Sequence, residues 1–321
     1  MVGFDPVVRN HLSSTDFAIA GAISGAVTRA VSQPLDVIKI RFQLQVEPIK
    51  RNEHSKYSSI YQAVRCIIKE EGLSALWKGH IPAQALSVFY GIAQYSCFEV
   101  MTVEIWQYLP EMMTTTYRPL THTVCGGLSG CIASFFVFPL DIIRTRFVAQ
   151  GEPKLYNSLT SAVVSIGRKE GPRGFYKGLS PTVIQIAPQM GFQFGLYSLF
   201  TGLWNKAHGI WPTAAPESLE ALVCGSGSGA LAKLIVYPLD VIKKRLQVQG
   251  FEKARRPFGA VHQYKGLFHC LASSVRQEGV LCLYKGLCPS LLKAGFVAGL
   301  NFCIYENVCK VLAYSHRTSS R

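Results

Sequence analysis

Charge is what this chain has least of. Asp, Glu, Lys and Arg together make up 16% of its 321 residues, against about 25% in a soluble domain. Acid is the scarcer sign: 19 Asp plus Glu stand against 33 Lys plus Arg, a formal charge of +14. So little charge makes a water-facing surface hard to build. The basic excess suits anionic lipid, nucleic acid or an anionic small molecule. Nucleic acid is the weakest of these, because zinc-finger, basic-zipper and RNP-type motifs are all missing, so no nucleic-acid partner is expected. The ten cysteines include no C-x-x-C pair and sit mostly among apolar neighbours, so they read as reduced small hydrophobes. The eight histidines form no H-E-x-x-H and no zinc-spaced set with cysteine. With no nucleophile–base set in view, the expectation is a protein that is not an enzyme, with no metal site and no cofactor. "MVGFDPVVRNHLSSTDF" at the N-terminus has neither the apolar core of a secretory signal nor the Arg-rich pattern of a transit segment. Any address is therefore expected to be internal.

What the chain does have is apolar residues (49%), 28 glycines and a mean hydropathy of +0.20, which point to closely packed membrane helices. It also repeats itself. "PLDVIKIR" at Pro34 returns as "PLDIIRTR" at Pro139 and "PLDVIKKR" at Pro238, in steps of 105 and 99 residues. Each is followed by a second marker: "EGLSALWKG" from Glu71, "EGPRGFYKG" from Glu170 and "EGVLCLYKG" from Glu278. A tyrosine stands 15 residues before each marker glycine, at Tyr57, Tyr156 and Tyr264. Three agreeing registers define tandem repeats. We place them at 16–110, 116–210 and 217–314, between tails at 1–15 and 315–321.

Within each repeat an apolar run leads into the proline signature. Small residues four apart, Gly21 and Gly25, Gly126 and Gly130, Gly225 and Gly229, are expected to let helices approach closely. A polar link and a helix of about 14 residues follow, then a second apolar run at 80–107, 179–207 or 287–313. The expected fold is an all-α membrane protein with six transmembrane helices in three tandem repeats of ~100 residues. An even number of crossings per repeat gives every repeat the same orientation, so a pseudo-threefold axis runs along the membrane normal, with three short helices at one end.

The proline bends each first helix. Two residues on stands an acid (Asp36, Asp141, Asp240) and five on a base (Lys39, Arg144, Lys243). Acid and base three apart share a helix face, and charges within a membrane need partners. A closed ring between repeats is the expected outcome. Gln43 and Gln247, four past Lys39 and Lys243, are placed to brace two of the pairs. Arg41, Arg146 and Arg245 are read as anchors at the same end.

Counting from the aromatic residue of "[WY]KG" gives equivalent positions on the second helices. Nine on are Leu86, Gln185 and Lys293; thirteen on are Tyr90, Gln189 and Val297; seventeen on are Gln94, Gln193 and Asn301. The last trio suggests a wetted path. Five before the prolines stand Arg29, Ser134 and Lys233. Arg29, Lys233 and Lys293 are bases at mid-membrane depth with no acid partner on their own helix. A hydrated cavity holding an anion, such as a diphosphate, would meet their need.

P-x-[DE]-x-x-[KR]-x-[KR] followed by [DE]-G-x-x-x-x-[WFY]-[KR]-G, three times over, resembles the mitochondrial carrier family across nearly the whole chain. The resemblance implies an inner-membrane bundle of six tilted helices, alternating access, and the short helices on the matrix side, which makes the charged ring a matrix gate. It implies substrate contacts at Lys293, at Gln185 and Ile186, and at Leu86 with Ser87 and Tyr90 beside it; Gln189, Arg29 and Lys233 complete the expected site. It also implies cardiolipin at the marker turns, at Gly72, Trp77, Lys78 and Gly79, at Gly171, Tyr176, Lys177 and Gly178, and at Gly279, Tyr284, Lys285 and Gly286, where glycine capping of helices is the plain alternative.

At the opposite end the family carries [FY]-[DE]-x-x-[KR]. Here the stretches read Phe98-Glu99-x-x-Thr102, Tyr197-Ser198-x-x-Thr201 and Tyr305-Glu306-x-x-Cys309. Glu99 and Glu306 survive without a base in register, so the cytoplasmic gate is expected to be weak and the unloaded protein to rest open to the cytosol. The stretches "VIKIRFQLQ", "WKGHIPAQ", "CGGLSGCIAS", "RTRFVAQGEPKLYN" and "GLCPSLLKA" resemble the members of the family that carry thiamine pyrophosphate. The expected cargo is therefore an anionic phosphorylated small molecule, exchanged for a nucleotide or related compound and carried by a monomer. Adenine nucleotides, deoxynucleotides or coenzyme A are the alternative cargo.

Overall fold

The computed structural model describes residues 13–47, 55–108, 118–152, 154–210, 217–251 and 262–319. Most of the two expected tails lies outside them. The first helix of each repeat is α1 (Ser14–Leu44), α4 (Arg118–Ala149) or α7 (Glu217–Gln247). The short helix is α2 (Ile60–Glu71), α5 (Leu159–Glu170) or α8 (Leu267–Glu278), and the last is α3 (His80–Tyr108), α6 (Leu179–Ile210) or α9 (Leu287–Ser319). The six long helices run to 29–33 residues. At 1.5 Å per residue they are about 45 Å long, more than a ~30 Å hydrocarbon core needs. Three stretches, Thr123–Ala149, Leu222–Gln247 and Val280–Tyr314, are apolar and long enough to cross a membrane by length and composition. α1, α3 and α6 reach similar length with Ser and Gln interspersed.

Pro34, Pro139 and Pro238 lie inside α1, α4 and α7, as the motif requires, and α6 also contains Pro188. Each short helix ends at the marker glycine as expected but has 12 residues rather than about 14, because it starts only after its N-cap at Ser59, Ser158 or Gly266. Gly72, Gly171 and Gly279 have φ of 84°, 68° and 81°, a region favourable to glycine alone. A five-residue 3-10 turn follows each one, at Leu73–Trp77, Pro172–Tyr176 and Val280–Tyr284.

The long helices close into a ring. The most extensive contacts join α3 to α4, α6 to α7, and α9 back to α1. These seams run between successive repeats, and the last one brings residue 287 onward against the start of the chain. Polarity along the helices is turned inside out. On α1 the buried stripe is Ser24, Thr28 and Ser32, while Ile19, Ile23, Val27 and Val31, also four apart, are 42–47% exposed. A soluble helix would reverse these faces; a lipid-facing one need not.

The close-packed small residues are not the expected glycines. Ala20, Ser24 and Thr28, then Cys125, Ser129 and Ala133, then Cys224, Ser228 and Ala232, all at the same distances before the proline, are the buried ones. A side chain added at Gly21, Gly25, Gly126, Gly225 or Gly229 would meet nothing within 4 Å, and only Gly130 has close neighbours, at 3.5 Å from Tyr90 Oη. The seam lies one residue away from the glycine stripe, about 100° around the helix. Apolar cores gather at the proline end, where each short helix packs on the C-terminal half of its repeat's first helix.

Candidate functional site

Below the prolines, the three repeats are joined by ion pairs in a closed cycle. Asp36 of repeat 1 accepts from Arg144 of repeat 2 at 2.6 Å. Asp141 of repeat 2 accepts from Lys243 of repeat 3 at 2.8 Å. Asp240 of repeat 3 accepts from Lys39 of repeat 1 at 3.1 Å. Lys39 and Lys243 also lie over the rings of Tyr237 and Phe138, each the residue before a proline. The three acids are buried or nearly so, where a lost partner is costly.

The cycle is uneven. Gln247 donates to Asp141 Oδ2 at 2.8 Å and accepts from Lys244. The brace expected at Gln43 is not formed. The phenol of Tyr237 fills the space beneath Lys39, so Gln43 Nε2 donates to it at 3.1 Å, and Tyr237 donates on to the carbonyl of Lys285. Two of the expected substrate residues also reach the ring. Lys293 Nζ lies 2.7 Å from both carboxylate oxygens of Asp36, and Gln185 Nε2 donates to Asp240 Oδ1 at 2.8 Å.

A second tier lies further along the same helices, and its pairing escaped the sequence reading. Arg41 forms a two-pronged pair with Glu71 at 2.6 and 2.7 Å, Arg146 one with Glu170 and Arg245 one with Glu278. Lys78, Lys177 and Lys285 bind the same glutamates at 2.5–2.6 Å. Burial opposes the charge on Glu71 and Glu170, but the guanidinium and ammonium partners outweigh it and hold both carboxyls below their usual range. The arginines are more than anchors. Each crosses to the next repeat's first helix and donates to carbonyls near its C-terminus: Arg41 to Val148, Arg146 to Gln247 and Gln249, Arg245 to Gln43 and Gln45. Cations there complement the helix dipole.

The other expected cavity residues are spread over four helices. Arg29 Nη1 donates to the carbonyl of Ala83 at 3.2 Å, tying α1 to α3, and Ser87 Oγ shares that acceptor. Lys233 is half-buried and forms no ion pair among the described residues, but it lies within the field of Lys39, Lys293 and the ring acids. Tyr90 and Ile186 both border Gly130, where α3, α4 and α6 converge, with Gln94 one turn further on from Tyr90. Gln189 Oε1 lies 3.4 Å from Gln185. Leu86 is half-buried on the same face.

Three stretches, residues 10–108, 115–208 and 215–316, match the family model described as mitochondrial carrier protein. The chain belongs to the mitochondrial carrier family. Members are transporters of the mitochondrial inner membrane, so the all-α carrier fold, the membrane location and the threefold plan follow together. The carrier is 48% identical over 328 positions to the mitochondrial thiamine pyrophosphate carrier of Homo sapiens and to that of Macaca fascicularis, covering all of both chains. It is 37% identical over 307 positions to the mitochondrial thiamine diphosphate carrier 1 of Arabidopsis thaliana, covering 90% of this chain and 91% of that one.

At the carrier's other end, neither Glu99 nor Glu306 forms an ion pair among the described residues, while the proline end is closed. The side chains of the carrier's marker turns make contacts within the protein. Lys78, Lys177 and Lys285 are committed to the second-tier glutamates. Trp77 donates to the carbonyl of Ala30, and Tyr176 and Tyr284 stack on Phe138 and Tyr237. The N–H groups of Gly72 and Gly279 cap their own helices, donating to Ile68 and Val275. Gly79, Gly178 and Gly286 instead let the next repeat's helix approach. A Cβ there would stand 2.8–3.0 Å from the carbonyls of Arg144, Lys243 and Lys39. Gly79, Gly178 and Gly286 thus fasten repeats together, with Lys285 buried beside them and Trp77 41% exposed.

Proposed function

We propose that this carrier exchanges thiamine pyrophosphate for a nucleotide or related phosphorylated compound, by alternating access between a strong matrix gate and a weak cytoplasmic one. The observation that carries the reading is the double duty of Lys293, a cavity cation that also clasps both oxygens of Asp36 at 2.7 Å. A diphosphate entering from the cytosol competes for that ammonium, with Arg29 and Lys233 as further cations. Gln185 turns from Asp240 to the same ligand. Two of the three ring acids thereby lose a partner only when cargo is bound, so binding energy is directed into opening the gate. No covalent step is needed. Tyr90, Leu86 and Ile186 supply an apolar and aromatic wall for a flat heterocycle. One chain encloses the whole path, which suits a monomer, and anionic lipid such as cardiolipin meets only backbone N–H groups at the starts of α3, α6 and α9.

Adenine nucleotides, deoxynucleotides or coenzyme A form the second reading, favoured by the fact that all three cavity cations read phosphate and none reads the base. The test is exchange in liposomes loaded with one phosphorylated compound and offered another. Thiamine pyrophosphate is expected to be taken up and to inhibit ATP uptake competitively. ATP exchange indifferent to thiamine pyrophosphate would reverse the order of the two readings.

A further inference from the structure

The three seams of the ring are not held alike, and Lys244 makes the difference. Counted from the proline, its position is held by Ile40 in repeat 1, packed in the apolar core, and by Thr145 in repeat 2. Lys244 Nζ lies 3.0 Å from Asp141 Oδ1, 2.9 Å from Thr145 Oγ1 and 2.8 Å from Gln247 Oε1. Lys243 and Gln247 take the other oxygen of Asp141, each at 2.8 Å. Every one of these groups belongs to α4 or α7. Asp36 and Asp240, by contrast, each take one partner from a last helix, Lys293 of α9 and Gln185 of α6. Cargo in the cavity can therefore draw partners away from two seams and not from the third.

We propose that Lys244 is a positioning residue that holds the seam between repeats 2 and 3 as the last to part, so that its opening limits turnover. The proposal rests on the alternating-access reading above. Separating α4 from α7 removes Asp141 from two adjacent ammonium groups at once and leaves successive lysines with no carboxylate between them. This costs far more than parting a single pair. Replacing Lys244 by the residue of repeat 2 removes one ammonium and three charge-assisted contacts from the closed state alone. Contacts of that kind correspond to roughly tenfold in an equilibrium.

The test uses the full chain in liposomes and compares Lys244→Thr with Lys244→Arg. Lys244→Thr is expected to raise the maximal exchange rate about three- to tenfold, with the half-saturating concentration of thiamine pyrophosphate unchanged within twofold. It is also expected to lower the unfolding temperature of the unloaded protein. Lys244→Arg is expected to return both the rate and the unfolding temperature toward wild type. Wild-type rate and unfolding temperature in Lys244→Thr would overturn the proposal. So would a parallel loss of rate and affinity that Lys244→Arg fails to rescue, since that marks a merely structural role or a cargo contact. If the wild-type protein moves no thiamine pyrophosphate at all, the cargo reading fails. The unfolding temperatures of the two unloaded variants then still decide the role of Lys244.

Discussion

Replacing Lys293 by glutamine should do two separable things. The side chain is 25% exposed and its partner Asp36 7% exposed, so the pair is neither a surface bridge of negligible worth nor a fully buried one. Asp36 keeps Arg144 at 2.6 Å, so no orphan charge is left, and the 3–5 kcal/mol penalty of a broken buried pair does not apply. What is lost is one charge-assisted contact, worth about 1.5–3 kcal/mol. For a chain of 321 residues that corresponds to a fall of roughly 2–5 °C in unfolding temperature. Losing the same ammonium from a bound diphosphate weakens cargo binding by a similar amount, about 10- to 150-fold. The assay pairs thermal unfolding in detergent with initial exchange rates in liposomes. Lys293→Gln should show both the lowered unfolding temperature and at least tenfold slower exchange at subsaturating thiamine pyrophosphate. A variant that melts early yet exchanges at the wild-type rate would refute the double role and leave Lys293 a gate residue only.

Three further outcomes follow from local geometry and from charge. Gly286 has φ of 81° and a Cβ there would lie 2.8 Å from the carbonyl of Lys39. Gly286→Ala should therefore cost roughly 3 kcal/mol by strain and by spreading the seam between repeats 3 and 1, seen as early unfolding and slow exchange. Gly21→Ala, with nothing within 4 Å, should be neutral or slightly stabilising by the same measurements. Because the carboxyls of Glu71 and Glu170 are held below their usual range, their contribution is full above the unfolded carboxylate value of about 4.3 and is lost as pH falls through the lower folded values. The unfolding temperature should be level between about pH 5 and 8 and drop steeply below about pH 4. A steady decline from pH 7 downward would mean that other groups dominate.

Much of this was legible because the repeats impose registers. Pro34, Pro139 and Pro238 mark one register in the three first helices, and the acids and bases two and five residues on fall on one face by helix geometry alone. The partners that sequence spacing could not supply are those joined by chain reversal. Arg41 and Glu71 both stand in quoted motifs, yet their pairing requires α2 to fold back on α1. Gln45, Gln150 and Gln249 also recur at one distance past the prolines. Each donates to the backbone carbonyl of its repeat's tyrosine, Tyr57, Tyr156 or Tyr264, and the first two accept from that tyrosine's N–H as well. The recurrence was visible; a side chain bonding to backbone leaves no complementary residue to notice. Lys244 was hidden in the dipeptide it shares with Lys243. The glycine stripe misled because a packing motif says that a close approach is possible without fixing which face makes it.

The pair Lys39 and Asp240 bears most directly on the ring, since 201 residues separate two side chains that meet at 3.1 Å. Exchange should be measured for Lys39→Asp, for Asp240→Lys and for the two together. Each single reversal sets like charges against each other and should abolish exchange, whereas the double reversal restores an attractive pair and should recover a substantial part of it. Active single variants, or a double variant as inert as either single one, would contradict a gate closed by charge between repeats.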